Sequence, residues 1–139
     1  VTEVINENKR LFITNQVFPQ VSIDESIIVA SDSKWLKFML SQFVTNAVKY
    51  TFEKNKKIIV SANQHGTNIV LSVHDEGIGI PKSDLSRVTK AFFTGENGRK
   101  TGESTGMGLY LAKEICEKLG HELNIESEIG NGTIVSITF

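Results

Sequence analysis

The sequence predicts a two-layer α+β sandwich. About six short strand-like segments stand beside only two long helical ones, and consecutive strands meet mostly through hairpins. Two helices are too few to cover both faces of a sheet, which argues against a doubly wound parallel fold.

Taken in order, Leu11-Phe12-Ile13-Thr14 and Ile27-Ile28-Val29-Ala30 read as strands. Asp32 or Ser33 offers an N-cap, and a helix follows to about Tyr50. Leu36, Leu40, Phe43 and Ala47 recur at helical spacing and make one buried stripe. Ile58-Ile59-Val60 and Ile69 to Val73 are strands around a turn at Gly66. Pro81 opens a short helix carrying Leu85 and Val88. The second long helix runs from about Gly106 to Leu119 and stops at Gly120. Leu109, Ala112, Ile115, Cys116 and Leu119 share its inner face. His121 to Ser127 and Thr133 to Phe139 close the chain as a strand pair around Gly130-Asn131-Gly132.

Composition narrows the function. A chain of 139 residues, 40% hydrophobic and 22% charged, has the size and makeup of one globular domain. Such a length buries roughly two-thirds of its unfolded surface, so no disulfide or metal staple is required. Cys116 is the only cysteine, so an intramolecular disulfide is impossible. Fifteen basic against sixteen acidic residues leave a formal charge of −1, which argues against nucleic-acid binding or a polybasic membrane surface. No apolar run approaches a membrane span, and the N-terminus is no signal peptide. It begins with Val, and the expectation is a piece of a longer protein.

Between Gly95 and Gly108 lie five of the eleven glycines: Gly95, Gly98, Gly102, Gly106 and Gly108. Average usage would give about one. Ordering such a segment costs backbone entropy. It is either a plain surface loop or a lid over an anion, with Lys90, Arg99 and Lys100 at hand. It ends at Gly106-Met107-Gly108-Leu109, where a helix starts. Helix N-termini present unpaired N–H groups that a phosphate approaches closely over glycine. Two better-known cradles are rejected. A P-loop needs Gly-Lys-Ser/Thr, but Arg99 separates Gly98 from Lys100; neither Gly106-Met107-Gly108 nor Gly77-Ile78-Gly79 has the third glycine of a dinucleotide fingerprint.

Two further stretches carry chemistry. In Asp75-Glu76-Gly77-Ile78-Gly79-Ile80-Pro81, an Asp and glycines make at minimum a strand-exit turn. Ile78 and Ile80 interleaved with glycines also offer an apolar floor to a flat ring. Asp75 at a strand end would accept from an exocyclic amine, selecting adenine over guanine. On the first long helix, Gln42, Asn46 and Lys49 fall beside the apolar stripe, with Tyr50 adjoining. They are a solvated stripe, or else Asn46 offers Mg²⁺ a carbonyl oxygen, Lys49 neutralises phosphate and Tyr50 lines a base pocket. His65, His74 and His121 are scattered and match no metal-site spacing.

In this order and spacing the motifs resemble the ATP-binding catalytic domain of bacterial sensor histidine kinases, in the gyrase, heat-shock chaperone, histidine kinase and MutL superfamily. Asn46-Ala47-Val48-Lys49-Tyr50 resembles the N box, and Asp75 to Pro81 the first glycine box. Phe92-Phe93-Thr94-Gly95 resembles the phenylalanine box. Thr105-Gly106-Met107-Gly108-Leu109 and Gly130-Asn131-Gly132-Thr133 resemble the later glycine boxes. The run Phe93 to Arg99, with Ser104 to Tyr110, is similar to the intramembrane-sensing, antibiotic-responsive kinases of Gram-positive bacteria, which pair with peptide-exporting ABC transporters.

The resemblance implies a Bergerat-type ATP-binding fold over residues 1–139: a mixed, mostly antiparallel sheet, helices on one face and a flexible lid at about 90–107. It implies that Asn46, with Gln42 beside it, holds Mg²⁺, that Lys49 binds phosphate, and that Tyr50 lines the adenine side. Asp75 would take the adenine amine, with Gly77, Gly79 and Ile80 beneath the ring. Phe93 and Thr94 would border the nucleotide. Gly106, Met107, Gly108 and Leu109 would meet the phosphates, Thr133 would support Asp75 or a bridging water, and Arg99 would reach the γ-phosphate. It also implies a cytoplasmic domain of a cell-membrane protein, working with a phosphoacceptor/dimerisation domain and a response regulator.

The chain departs from the family at two places. Gln42 stands where the family usually has asparagine, and Thr89 and Phe92 stand where the subgroup often has phenylalanine and glycine. Gln42 also bears on mechanism. Superfamily members that hydrolyse ATP or phosphorylate a hydroxyl typically carry glutamate there as a base, and an amide is no base. A neutral imidazole, with its pKa near ~6.5, needs none. None of the three histidines sits in the family's phosphoacceptor context. The alternatives are an anti-sigma factor serine kinase and a non-catalytic nucleotide-sensing module of the same superfamily.

Overall fold

The computed structural model describes residues 1–85, 87 and 108–139. Two short helices open the chain, α1 (Thr2–Glu7) and α2 (Lys9–Asn15), followed by strand β1 (Phe18–Ser22). The long helix α3 (Ser33–Lys49) leads to β2 (Lys57–His65), β3 (Asn68–Asp75) and a single turn of helix, α4 (Lys82–Leu85). Helix α5 (Gly108–Leu119) precedes the closing hairpin β4 (Glu122–Glu128) and β5 (Gly132–Thr138). The sheet order is β1-β2-β3-β5-β4, with β1 parallel to β2 and every other pair antiparallel. This is the mixed, mostly antiparallel α+β sheet expected.

Side-chain alternation decides which sheet face is buried. Ile58, Val60, Ala62, Leu71, Val73, Val135 and Ile137 point to one side and are all buried. Met39, Leu40, Phe43, Val44, Ala47 and Val48 of α3 and Ala112 and Cys116 of α5 complete that core. Cys116 Sγ lies 3.6 Å from Met39 Sδ, so the two helices meet through soft, polarisable side chains. Asp32 caps α3, its Oδ1 accepting from the N–H groups of Lys34 (3.0 Å) and Trp35 (3.1 Å).

Two expectations need correction. Residues 11–14 are helical, within α2. A four-residue apolar run fits strand or helix equally, and here Phe12 of α2 is buried beside Val4 of α1 in the core while Ile13 is 66% exposed. Residues 27–30 have a strand's alternating burial but pair with no strand, and Ile27 packs against the core without the segment joining the sheet. The strand that does form there is β1, all of it exposed and interrupted by Pro19, which an edge position tolerates. Val88 and Gly106, expected in the short helix and at the start of the second long one, lie outside the described residues.

Candidate functional site

Four segments converge at the end of the sheet where β3 stops. The last residue of β3 is Asp75, 6% exposed on the core face, opposite Thr133 of β5 in register. Its Oδ1 accepts from the N–H groups of Gly77 (2.9 Å) and Thr133 (3.3 Å). No described donor bonds to Oδ2. Burial pushes the carboxyl up to about 6, against the pull of the two backbone donors.

The loop after Asp75 is held on both sides. Tyr50, at the end of α3, accepts the Ile78 N–H through its backbone carbonyl at 3.2 Å. Gly130 N–H bonds to Ile78 O at 3.1 Å, and Ile80 N–H bonds to Ser127 Oγ at 2.7 Å. The glycines are required by space. A Cβ on Gly77 would press on Tyr50 O and lie 2.7 Å from Asp75 Oδ1. Gly79 and Gly132 have φ of +79° and +89°, where side chains are rarely tolerated.

The polar stripe of α3 faces the start of α5. A Cβ on Gly108 would lie 2.7 Å from Gln42 Oε1 and 3.6 Å from Asn46 Nδ2. The described start of α5 therefore lies beside two half-buried amides. Leu109 sends its side chain toward the core, leaving its backbone at this junction. Lys49, half-buried, is the last residue of α3, next to Tyr50. So Gln42 and Asn46 meet Gly108 between α3 and α5, and Tyr50, Asp75, Gly77, Gly79, Ile80 and Thr133 come together where the end of α3, the 75–80 loop, β4 and β5 meet, with Lys49 and Leu109 next in the chain to Tyr50 and Gly108. Phe93, Thr94, Arg99, Gly106 and Met107, with the expected lid, lie outside the described residues.

Sequence reasoning missed Ser127. Its signal was register: Ser127 faces Thr133 across β4 and β5, and their hydroxyl oxygens are 2.7 Å apart. Among the described residues no cluster of three His, Cys, Asp or Glu side chains could hold a metal. A cation here would fit only as one sharing neutral amide oxygens with a ligand's own phosphates and water, which is what Gln42 and Asn46 offer.

A buried carboxylate held by the backbone through one oxygen, a glycine-lined loop and a helix start opposite a polar stripe fit a nucleotide-binding class of domain. Residues 31–139 match the family described as histidine kinase-, DNA gyrase B- and HSP90-like ATPases, and the chain belongs to it. Within that family it is 44% identical, over 98% of its length, to the sensor histidine kinase YxdK of Bacillus subtilis (strain 168). It spans 42% of that relative. The sensor protein BceS of the same organism is 41% identical over 80% of this chain and 33% of its own. The catalytic domain of the histidine kinase ThkA superposes with a TM-score of 0.84 over 99% of this chain and 88% of its own. At 23% identity that likeness speaks for the fold alone.

Proposed function

We propose that this chain binds Mg-ATP and is the catalytic domain of a two-component sensor kinase, passing the γ-phosphate to a histidine on a separate dimerisation domain. The observation that carries the reading is Asp75: buried, held through Oδ1 by two backbone donors, with no described donor on Oδ2. A carboxylate so placed suits a purine amine, and the absence of a Cβ at Gly77 lets the loop close onto Tyr50 O and Asp75 Oδ1 and so fixes the carboxylate. Lys49 and the α5 N-terminus supply positive charge to the phosphates. Mg²⁺, when bound, would neutralise phosphate charge, with Asn46 and Gln42 as its protein oxygens. Residues 1–139 then form one domain, and Phe93, Thr94, Arg99, Gly106 and Met107 border the phosphates within a lid at about 90–107.

Gln42 favours a histidine acceptor. An amide takes no proton, so a hydroxyl or water would go unactivated here. A neutral imidazole nitrogen forms its bond to γ-phosphorus with its own lone pair. The bond from that phosphorus to the β–γ bridging oxygen breaks, ADP leaves with the electron pair, and the ring N–H proton passes to water. Catalysis reduces to positioning and charge neutralisation. The histidines of this chain are poorly suited as acceptors: His121 is bonded to Ser31 Oγ at 2.9 Å, His74 lies on the outer sheet face, and His65 ends β2. The parent protein would sit in the cell membrane with this domain in the cytoplasm and a response regulator downstream. A link to a peptide-exporting ABC transporter rests on the lid resemblance. The sensor-kinase names of the relatives support the rest.

The test mixes this chain with the dimerisation domain of its parent and γ-radiolabelled ATP. Acid-labile label on the histidine of that domain is the expected result. Steady ATP hydrolysis with no transfer, or acid-stable phosphoserine on a partner, would sink the proposal.

A further inference from the structure

Beneath the candidate nucleotide site a row of polar side chains crosses the otherwise apolar core face: Asp75, Thr133 and Ser127, neighbours in register on β3, β5 and β4. Ser127 Oγ makes three contacts, with Ile80 N (2.7 Å), Gly132 O (3.0 Å) and Thr133 Oγ1 (2.7 Å). A hydroxyl has one proton and two lone pairs. The Gly132 carbonyl only accepts, so it takes the Ser127 proton. Ile80 N–H only donates, so it takes one lone pair. The remaining lone pair satisfies the third contact only if the Thr133 hydroxyl donates to it. Thr133 Oγ1 is thereby left with lone pairs alone for any further partner, on the residue that faces Asp75 in register and donates its backbone N–H to Asp75 Oδ1.

We propose that Ser127 is a positioning residue that sets nucleobase specificity, by turning the Thr133 hydroxyl into an acceptor beside the Asp75 carboxylate. The inference rests on the nucleotide reading above and adds the device that enforces the choice of base. Two adjacent acceptors welcome an exocyclic amine and repel a carbonyl oxygen. Without Ser127 the Thr133 proton is free to swing outward and donate to a carbonyl. A site whose polar groups match one hydrogen-bonding pattern rejects the analogue that inverts it.

The experiment titrates the full chain calorimetrically with Mg-ATP and Mg-ITP, which carries a carbonyl at C6 and a proton at N1. Ser127→Ala is expected to narrow the ATP-over-ITP affinity ratio about tenfold, while Ser127→Thr, which keeps the hydroxyl, retains it. In a Thr133→Val background Ser127→Ala should leave the ratio where Thr133→Val alone puts it. If Ser127→Ala does not fold, Ser127→Cys carries the same expectation, a thiol being a poor acceptor for the Thr133 proton. A parallel fall in both affinities, or no change in either, overturns the proposal and leaves ATP binding intact. Failure of the unsubstituted chain to bind ATP overturns both this inference and the reading beneath it.

Discussion

Asp75 is held at a cost to stability. Its carboxyl sits at about 6 in the folded chain, against roughly 3.9 when unfolded. The folded state thus binds the proton more tightly, and between pH 4 and 6 stability falls as pH rises. Above pH 6 the ionised, buried carboxylate costs about 3 kcal/mol. Asp75→Asn removes that charge. Because both backbone donors fall on Oδ1, an amide oxygen can keep them, with its NH₂ at the Oδ2 position. We expect the variant to melt several degrees higher than the parent at pH 7, with the difference vanishing near pH 4. The same NH₂ would face an adenine amine donor to donor, so ATP affinity should fall about ten- to a hundred-fold. Thermal melts across pH, with ATP titration at pH 7, check both halves. A variant melting lower than its parent would refute the electrostatic account.

Elements differ in how much freedom their site residues have. The Asp75–Ile80 loop is pinned by backbone bonds from Tyr50, Gly130 and Ser127 Oγ, so nothing around Gly77 can yield. The opening between α3 and α5 is bordered by the ends of flexible amides. Gly77→Ala is therefore expected to cost several kcal/mol of folding stability, as backbone overpacking does. Gly108→Ala should cost under about 1 kcal/mol, because Gln42 can rotate away. Urea midpoints of the two variants decide it, and equal losses would contradict the assignment of rigid and yielding sides. Helix α3 was legible throughout, because its 3.6-residue apolar period and Asp32 cap are local signals. Helix α2 was not, since Leu11 to Thr14 has too few residues to distinguish one period from another. Strand β1 was hidden by Pro19 and by having no buried face at all.

At the scale of the whole chain, α1 and α2 are more than an extension to the family match that begins at residue 31. Val4 and Phe12 are 1% and 3% exposed within the common core, and an exposed Glu3–Lys37 ion pair joins α1 to α3. At about 1.5–3 kcal/mol for each buried side chain, a chain starting at residue 17 should lose about 3–6 kcal/mol. That is a large part of a typical domain's 5–15 kcal/mol. A truncated chain with an unchanged urea midpoint would show the helices to be dispensable. The order of motifs, the glycine clusters, the acidic residue at a strand end and Gln42 in place of a carboxylate were all local, and residue identity alone determined them. Which groups touch was decided by folding. Strand register set Ser127 against Thr133 and Thr133 against Asp75, and helix packing brought Gly108 onto Gln42. Ser127 and Thr133 are six positions apart across a hairpin, but Asp75 and Thr133 are 58 apart and Gln42 and Gly108 are 66 apart, and no local pattern encodes those two contacts, which only the closing of the sheet and the docking of α5 create.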